Sequence, residues 1–153
     1  VHKINVMSGI DFYNEAVKNL PCDIFISVAA ISDWKSSNIK NKKIKKNEAS
    51  LSLKLIKNID VLDRISKSKF RPSLVVGFSA ETNDLIKNSK AKLKKKNCDW
   101  IIANIISNSK GFGNVKNKII FLEKSKIENW PYLNKEQISK KIVKKIVNFF
   151  KKK

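Results

Sequence analysis

Asp33 heads the residues whose type and setting can do chemistry. It follows Ala29-Ala30-Ile31-Ser32 and precedes Trp34. Small residues let a ligand approach the backbone. A carboxylate beside them can bind a hydroxyl, an amide or a metal-bound water; a solvated loop or a helix cap is the plain alternative. Further on, Lys42-Lys43-Ile44-Lys45-Lys46 gathers four ammonium groups. Lysines are compact charges on flexible stems, so the run suits a triphosphate clamp, unless it is merely a solvated stretch of a Lys-rich chain. A third run is Gly77-Phe78-Ser79-Ala80-Glu81-Thr82. It offers close backbone approach at Gly77, a ring at Phe78 that can stack on a base, and Glu81 and Thr82 for a metal-bound water or a helix cap. Lys92 and Lys96, spaced i, i+4, share one helix face, with Lys95 beside them. Ala103-Asn104 adds an amide.

The sequence holds no Ser-His-Asp arrangement, no Cys/His cluster and no Walker loop. His2 is its only histidine, which leaves little room for a histidine base. Carboxylate, amide, ring and lysines together suit the binding of a nucleoside triphosphate.

The surrounding pattern alternates strands and helices. Lys3 to Met7 reads as a short strand and Asp11 to Asn19 as a helix, with Phe12, Ala16 and Val17 at helical spacing. The apolar run from Asp23 to Ala30 predicts a strand buried on both faces. Ser32 to Asn47 is polar and aperiodic, a long loop. Leu51, Leu53 and Leu55 alternate with polar residues and predict a strand with one wet face. Val61 to Ser68 reads as a short helix, Ser73 to Phe78 as a second buried strand, and Asn83 to Asn97 as a basic helix. Trp100 to Ala103 and Ile119 to Leu122 complete the strands. Asn134 can N-cap a last helix, whose stripe Ile138, Ile142, Ile146 and Phe149 belongs to a core. Apolar strands between helices predict an α/β fold: three layers, α/β/α, around a mostly parallel, Rossmann-like sheet. In such sheets ligands sit at the carboxyl ends of strands, where all the runs above fall.

With 153 residues the chain is one domain or a large piece of one. No apolar run reaches the roughly 20 residues of a membrane span. Cys22 and Cys98 form no disulfide framework and no signal peptide is present, which predicts a cytoplasmic protein without a membrane partner. The net charge of +20 suggests a polyanion partner. Its make-up argues otherwise: 31 Lys stand against 2 Arg, whereas nucleic-acid readers favour the Arg fork and aromatic platforms. Ile and Asn abound as well, and all three types have A/T-rich codons. Codon drift accounts for such a surface, so no specific nucleic-acid partner is expected.

Read together, the segments resemble phosphopantothenate–cysteine ligase, the synthetase half of the bacterial bifunctional coenzyme A biosynthesis flavoprotein. The family pattern A-A-V-A-D-[WY]-[RK] appears as Ala29-Ala30-Ile31-Ser32-Asp33-Trp34-Lys35, and K-I-K-K as Lys43-Ile44-Lys45-Lys46. N-P-D-I appears as Asn58-Ile59-Asp60-Val61, and G-F-A-A-E-T as Gly77 to Thr82. The pattern K-L-x-x-K-x-x-D-x-I-x-A-N is met by Lys92-Leu93, Lys96, Asp99, Ile101 and Ala103-Asn104.

The resemblance implies a CTP-dependent ligase. It activates the carboxylate of 4′-phosphopantothenate as an acyl-cytidylate and releases pyrophosphate. The amine of L-cysteine then attacks, leaving CMP. Mg²⁺ is the implied cofactor, with ligands unassigned; FMN belongs only to a decarboxylase half. By the family match Ser27, Val28, Ala29 and Asp33 line the nucleotide. Lys43 is the catalytic lysine and also contacts it. Ile59, Asp60, Val61 and Leu62 form a nucleotide-contacting turn before a helix, and Phe78, Lys92 and Lys96 add further contacts. A homodimer is implied, with the Lys-rich loop helping to form it and closing over the site. Ile59 departs from the family's Pro; Ser32 and Ser79 replace alanines. Residues 1–153 resemble the C-terminal two-thirds of the synthetase: the first strand, a Gly-rich turn and an essential Asn motif are expected upstream of Val1, so the isolated chain is expected to be inactive. A basic nucleic-acid-binding protein and an inactive fragment or paralogue are the alternatives.

Overall fold

The computed structural model describes residues 1–38, 50–105 and 116–152. Helix α1 (Gly9–Lys18) starts where Ser8 can cap it. The Ser8 hydroxyl accepts from the Asp11 amide, and the Asp11 side chain accepts from the Ser8 amide in return. Strand β1 (Ile24–Ser27) follows, then a two-stranded antiparallel ribbon of β2 (Trp34–Ser36) and β3 (Leu55–Lys57). Helix α2 (Val61–Ser66) begins at the N-cap Asp60. Strand β4 (Leu74–Glu81), helix α3 (Leu85–Lys95), strands β5 (Trp100–Ile105), β6 (Lys116–Glu123) and β7 (Ile127–Asn134), and helix α4 (Lys135–Lys151) complete the order.

The main sheet runs β1-β4-β5-β6-β7. Its β1, β4 and β5 are parallel, and β6 and β7 join antiparallel. One face packs Val75, Ile101, Ala103 and Leu122 against Leu62 of α2 and Leu85 and Leu93 of α3. The other packs Leu74, Val76, Ile102 and Phe121 against Ile138 and Ile142 of α4. This is the expected three-layer α/β/α arrangement with a Rossmann-like parallel centre. The stripe read on the last helix is core, and Asn134 caps that helix by accepting from Gln137 N at 2.8 Å.

Several expectations are corrected. Lys3 to Met7 forms no strand; the segment runs exposed and without regular structure into α1. The apolar run from Asp23 to Ala30 is neither so long nor so buried. Among the described residues it pairs on one side only, with β4, and Ile26 is 40% exposed. It reads as doubly buried because Ile24 and Phe25 pack against the two opposite cores. Leu51 and Leu53 lie outside β3, which is exposed throughout. The polar stretch after Ser32 contains β2, held by a ladder to β3 rather than by burial. Strand β7 gives no clear periodic signal: it carries Pro131, tolerated at a sheet edge, after a turn, Lys124-Ser125, without glycine or asparagine.

Candidate functional site

The parallel register brings the chemistry to one rim. Ser27, the last residue of β1, stands opposite Gly77 of β4, and Ala80 of β4 opposite Asn104 of β5. Beyond Ser27 the β1 side of β4 has no ladder partner among the described residues. The Phe78 carbonyl is instead taken by Lys92 of α3, whose Nζ donates to it at 2.8 Å. An ammonium has three donors, so two remain for a ligand.

Helix α3 holds the rim through side chains four residues apart. Asn88 Nδ2 donates to Glu81 Oε2 at 3.4 Å, Lys92 to the Phe78 carbonyl, and Lys96 to Asp60 Oδ2. Spacing by four keeps all three on one helix face. Sequence reasoning found the two lysines and missed Asn88, which continues their stripe by one turn and was legible from that spacing. Glu81 is fixed from its other side by the Ser79 hydroxyl at 2.7 Å. It binds within its own network, and neither it nor Thr82 caps α3. The N-cap is Asp84, with φ 45° and no side-chain cap bond.

Asp60 serves two ends. Its Oδ1 accepts from the Asp63 amide at 3.0 Å, capping α2, while Oδ2 pairs with Lys96. Burial alone would raise its pKa. The Lys96 hydrogen bond, the Asp63 amide and the charges of Lys96 and Lys92 outweigh that, and the carboxyl lies below its ordinary value. Asp60 is therefore an anion at neutral pH. Val61 and Leu62 are buried, 2% and 8% exposed; their side chains belong to the core, which leaves only their backbone for a ligand. Ile59 stands where the family has Pro, and its amide finds a partner in its neighbour, donating to Asn58 Oδ1 at 2.9 Å.

Asn58 also ties the turn to the Asp33 loop. Its Nδ2 donates to the Ser32 carbonyl at 3.0 Å and its amide to the Asp33 carbonyl at 2.8 Å. Val28, Ala29 and Asp33 are exposed, and the Asp33 carboxylate accepts no hydrogen bond among the described residues. The Phe78 ring packs against the edge of the α4-side core and is half-buried. Gly77 serves packing: a Cβ there would lie 2.8 Å from both Ile101 Cδ1 and Leu62 Cδ2. Lys43 and the other lysines of its run lie outside the described residues.

Ser27–Ala29, Asp33, Ile59–Leu62, Phe78, Lys92 and Lys96 thus meet around the carboxyl ends of β1 and β4. The thiols add no nucleophile: burial pushes Cys98 up to about 12 and raises Cys22 as well. No group of three or more His, Cys, Asp or Glu able to hold a metal occurs among the described residues. No described helix is long and apolar enough to cross a membrane. The arrangement presents cations beside a carboxylate and an open backbone, which suits an anionic ligand with hydrogen-bonding groups.

Known proteins share this sequence and this fold. The "Coenzyme A biosynthesis bifunctional protein CoaBC" of Borreliella burgdorferi is 40% identical over 147 residues, covering 94% of this chain and 37% of that protein. A "Cysteine/Cysteine sulfinic acid decarboxylase" of an unknown prokaryotic organism is 32% identical, covering 96% of this chain and 42% of that protein. The chain therefore spans about two fifths of the length of these relatives. The crystal structure of the C-terminal domain of a CoaBC superposes with TM-score 0.74 at 22% identity, over 98% of this chain and 66% of that one. A Cab2 mutant in complex with phosphopantothenate-cysteine superposes with TM-score 0.62 at 21% identity, over 84% of this chain and 44% of that one. At such identities the superpositions establish the fold. A family model matches residues 1–150, and the chain belongs to that family, the DNA/pantothenate metabolism flavoprotein C-terminal domain.

Proposed function

We propose that the protein carries the phosphopantothenate–cysteine ligase step of coenzyme A biosynthesis. It joins 4′-phosphopantothenate and L-cysteine through an acyl-cytidylate made from CTP. The supporting observation is the convergence of separate motif segments on one rim. Ser27–Ala29, the Asn58–Leu62 turn, Phe78 and the Lys92–Lys96 face are distant in sequence and adjacent in the fold. The CoaBC and Cab2 names among the similar proteins support the same reading.

In this reading the nucleotide lies across the carboxyl ends of β1 and β4. The open backbone of Val28 and Ala29 and the half-buried Phe78 bound it on two sides. Lys92 turns its free N–H groups to phosphate while keeping Phe78 in place. Lys96 holds Asp60 ionised, and Asp60 accepts a hydrogen bond from the ligand. Lys43 stands against the phosphate where negative charge builds as the pantothenate carboxylate attacks; such a contact acts mainly in the transition state. The cysteine amine then displaces CMP, and no side chain forms a covalent intermediate. Mg²⁺ fits one carboxylate plus substrate phosphates, and Asp33, open and unpartnered among the described residues, is the residue to hold it; the ion would neutralise phosphate charge. FMN is assigned no step in this chain. The partners are CTP, 4′-phosphopantothenate, L-cysteine and a second copy of the protein, docked through the β2–β3 ribbon.

Ligand-induced stabilisation tests the nucleotide assignment. A ligand that binds only the folded state raises the thermal midpoint. CTP with Mg²⁺ is expected to raise that of the full-length protein more than ATP, GTP or UTP at equal concentration. Equal shifts for all four would remove base recognition from the proposal.

A further inference from the structure

Helix α3 has a second polar flank. Asn88, Lys92 and Lys96 face the rim; Lys90 and Lys94, again four apart, lie across the buried stripe of Leu85, Ser89 and Leu93. On that side α3 and the β6–β7 hairpin enclose a cavity of about 570 Å³. Its floor is apolar, with Leu93, Leu122 and Ile127, and its rim carries Lys90, Lys94, Lys124 and Lys126 against Glu123 alone among acids. Lys126 pairs with Glu128 at 2.9 Å. Lys90, Lys94 and Lys124 make no ion pair among the described residues.

The walls are fixed by backbone bonds. The turn is closed by Glu123 N to the Lys126 carbonyl at 2.9 Å and Lys126 N to the Glu123 carbonyl at 3.3 Å. The end of α3 is closed by Cys98 N to the Leu93 carbonyl at 3.1 Å, with Asn97 at φ 49° and its side chain donating to the Ser66 carbonyl at 3.2 Å. Glu123 pairs with Trp100, the first residue of β5, so the cavity lies toward the sheet edge opposite the candidate site. Small-molecule sites are concave, mostly apolar and on the order of 300–1,000 Å³.

We propose that this cavity is a second binding site, taking a small soluble molecule that bears a phosphate on an apolar body. An apolar molecule alone would leave the rim lysines repelling one another, and bare phosphate would leave the floor uncovered. A dianion gathers several ammonium groups at once, while the attached body covers Leu93, Leu122 and Ile127. The site stands independently of the ligase reading.

Calorimetric titration of the full-length protein with n-hexyl phosphate, n-hexanol and inorganic phosphate tests this. Hexyl phosphate is expected to bind saturably and at least about tenfold more tightly than the other two, because only it meets both rim and floor. The exposed pair Lys94→Gln/Lys124→Gln should weaken it by about tenfold or more. The pair Lys144→Gln/Lys151→Gln, an equal charge change on α4, should leave it unaltered, as should Lys92→Gln/Lys96→Gln at the other site. Equal losses in the first two pairs would reduce the lysines to diffuse attraction and overturn the proposal. Loss in the Lys92/Lys96 pair would move the ligand to the other site and overturn it too. Tighter binding to phosphatidylglycerol vesicles than to hexyl phosphate, lost in Lys94→Gln/Lys124→Gln, would make the patch a membrane contact rather than a soluble-ligand site.

Discussion

Gly77 and Lys43 carry opposite lessons at the scale of the residue. Gly77 reads in sequence as room for a ligand, and in the structure as room for Leu62 and Ile101. A methyl there overpacks two buried side chains, which costs about 1–3 kcal/mol. Gly77→Ala should therefore lower the thermal midpoint by a few degrees and weaken nucleotide binding too, because displacing Leu62 moves α2 and its cap Asp60. An unchanged midpoint would mean that both side chains turn aside freely. For Lys43 the expectation rests on the motif Lys43-Ile44-Lys45-Lys46. If one ammonium is placed against the phosphate in the transition state, its loss costs on the order of 3 kcal/mol, about a hundredfold in rate. Lys43→Gln should lose that much pyrophosphate release measured without cysteine. Lys42→Gln and Lys46→Gln should lose far less; one small common factor for all three would make the run a diffuse funnel.

Elements were legible where burial is symmetrical and hidden where it is not. Strands β4 and β5 lie between two helical layers, and their apolar runs name them directly. Strand β1 shows the same run yet pairs on one side only among the described residues, because composition reports burial of faces and not of edges. Strand β7 was not legible, since Pro131 breaks the pattern and long-range contacts hold it instead. Trp130 stacks on Phe121 with centroids 5.6 Å apart and donates to Glu128 at 3.2 Å. Glu128 also accepts from Lys145 of α4 at 2.9 Å. In the candidate site, helix spacing revealed Lys92 and Lys96, while the roles of Asn58 and Asn88 depend on partners 26 and 7 residues away. The Lys145 hydrogen bond, opposed by burial and aided by Lys126 and Trp130, holds the Glu128 carboxyl at about 2, against an ordinary 4.5. A depressed carboxylate stabilises the fold fully above its unfolded pKa, and the gain fades as pH falls toward the folded one. Taken in full the shift corresponds to about 3 kcal/mol; solvent screening at this partly exposed pair leaves a smaller share. Stability of the native protein should fall between pH 5 and 2 more steeply than that of Glu128→Gln, read from denaturant midpoints at each pH. Parallel curves would show that the β7–α4 contact is not electrostatic.

At the scale of the whole molecule, charge and apolar surface pull in opposite directions, and their balance is measurable. The chain carries +20, which repels like copies and attracts polyanions. The β2–β3 ribbon, a ladder of three residue pairs, meanwhile exposes Trp34, Leu55 and Ile56, and Leu51 and Leu53 lie exposed in the chain leading into it, all from 40% to 63%. So short a two-stranded ribbon is marginal in water, and its apolar cluster has the character of an interface. If a second copy covers it, the driving force is burial and the opposing force is charge repulsion. Added salt screens the repulsion and leaves burial intact, so self-association should tighten with ionic strength. Nucleic-acid binding has the opposite sign, since salt weakens it steeply through counterion release. Light scattering of the full-length protein at tens of micromolar should therefore give a dimer whose fraction rises between roughly 50 and 500 mM salt. Leu53→Asp with Leu55→Asp should give a monomer throughout. A monomer at every salt concentration would refute the dimer, and micromolar binding to random DNA that collapses over the same range would return the charge to the polyanion reading.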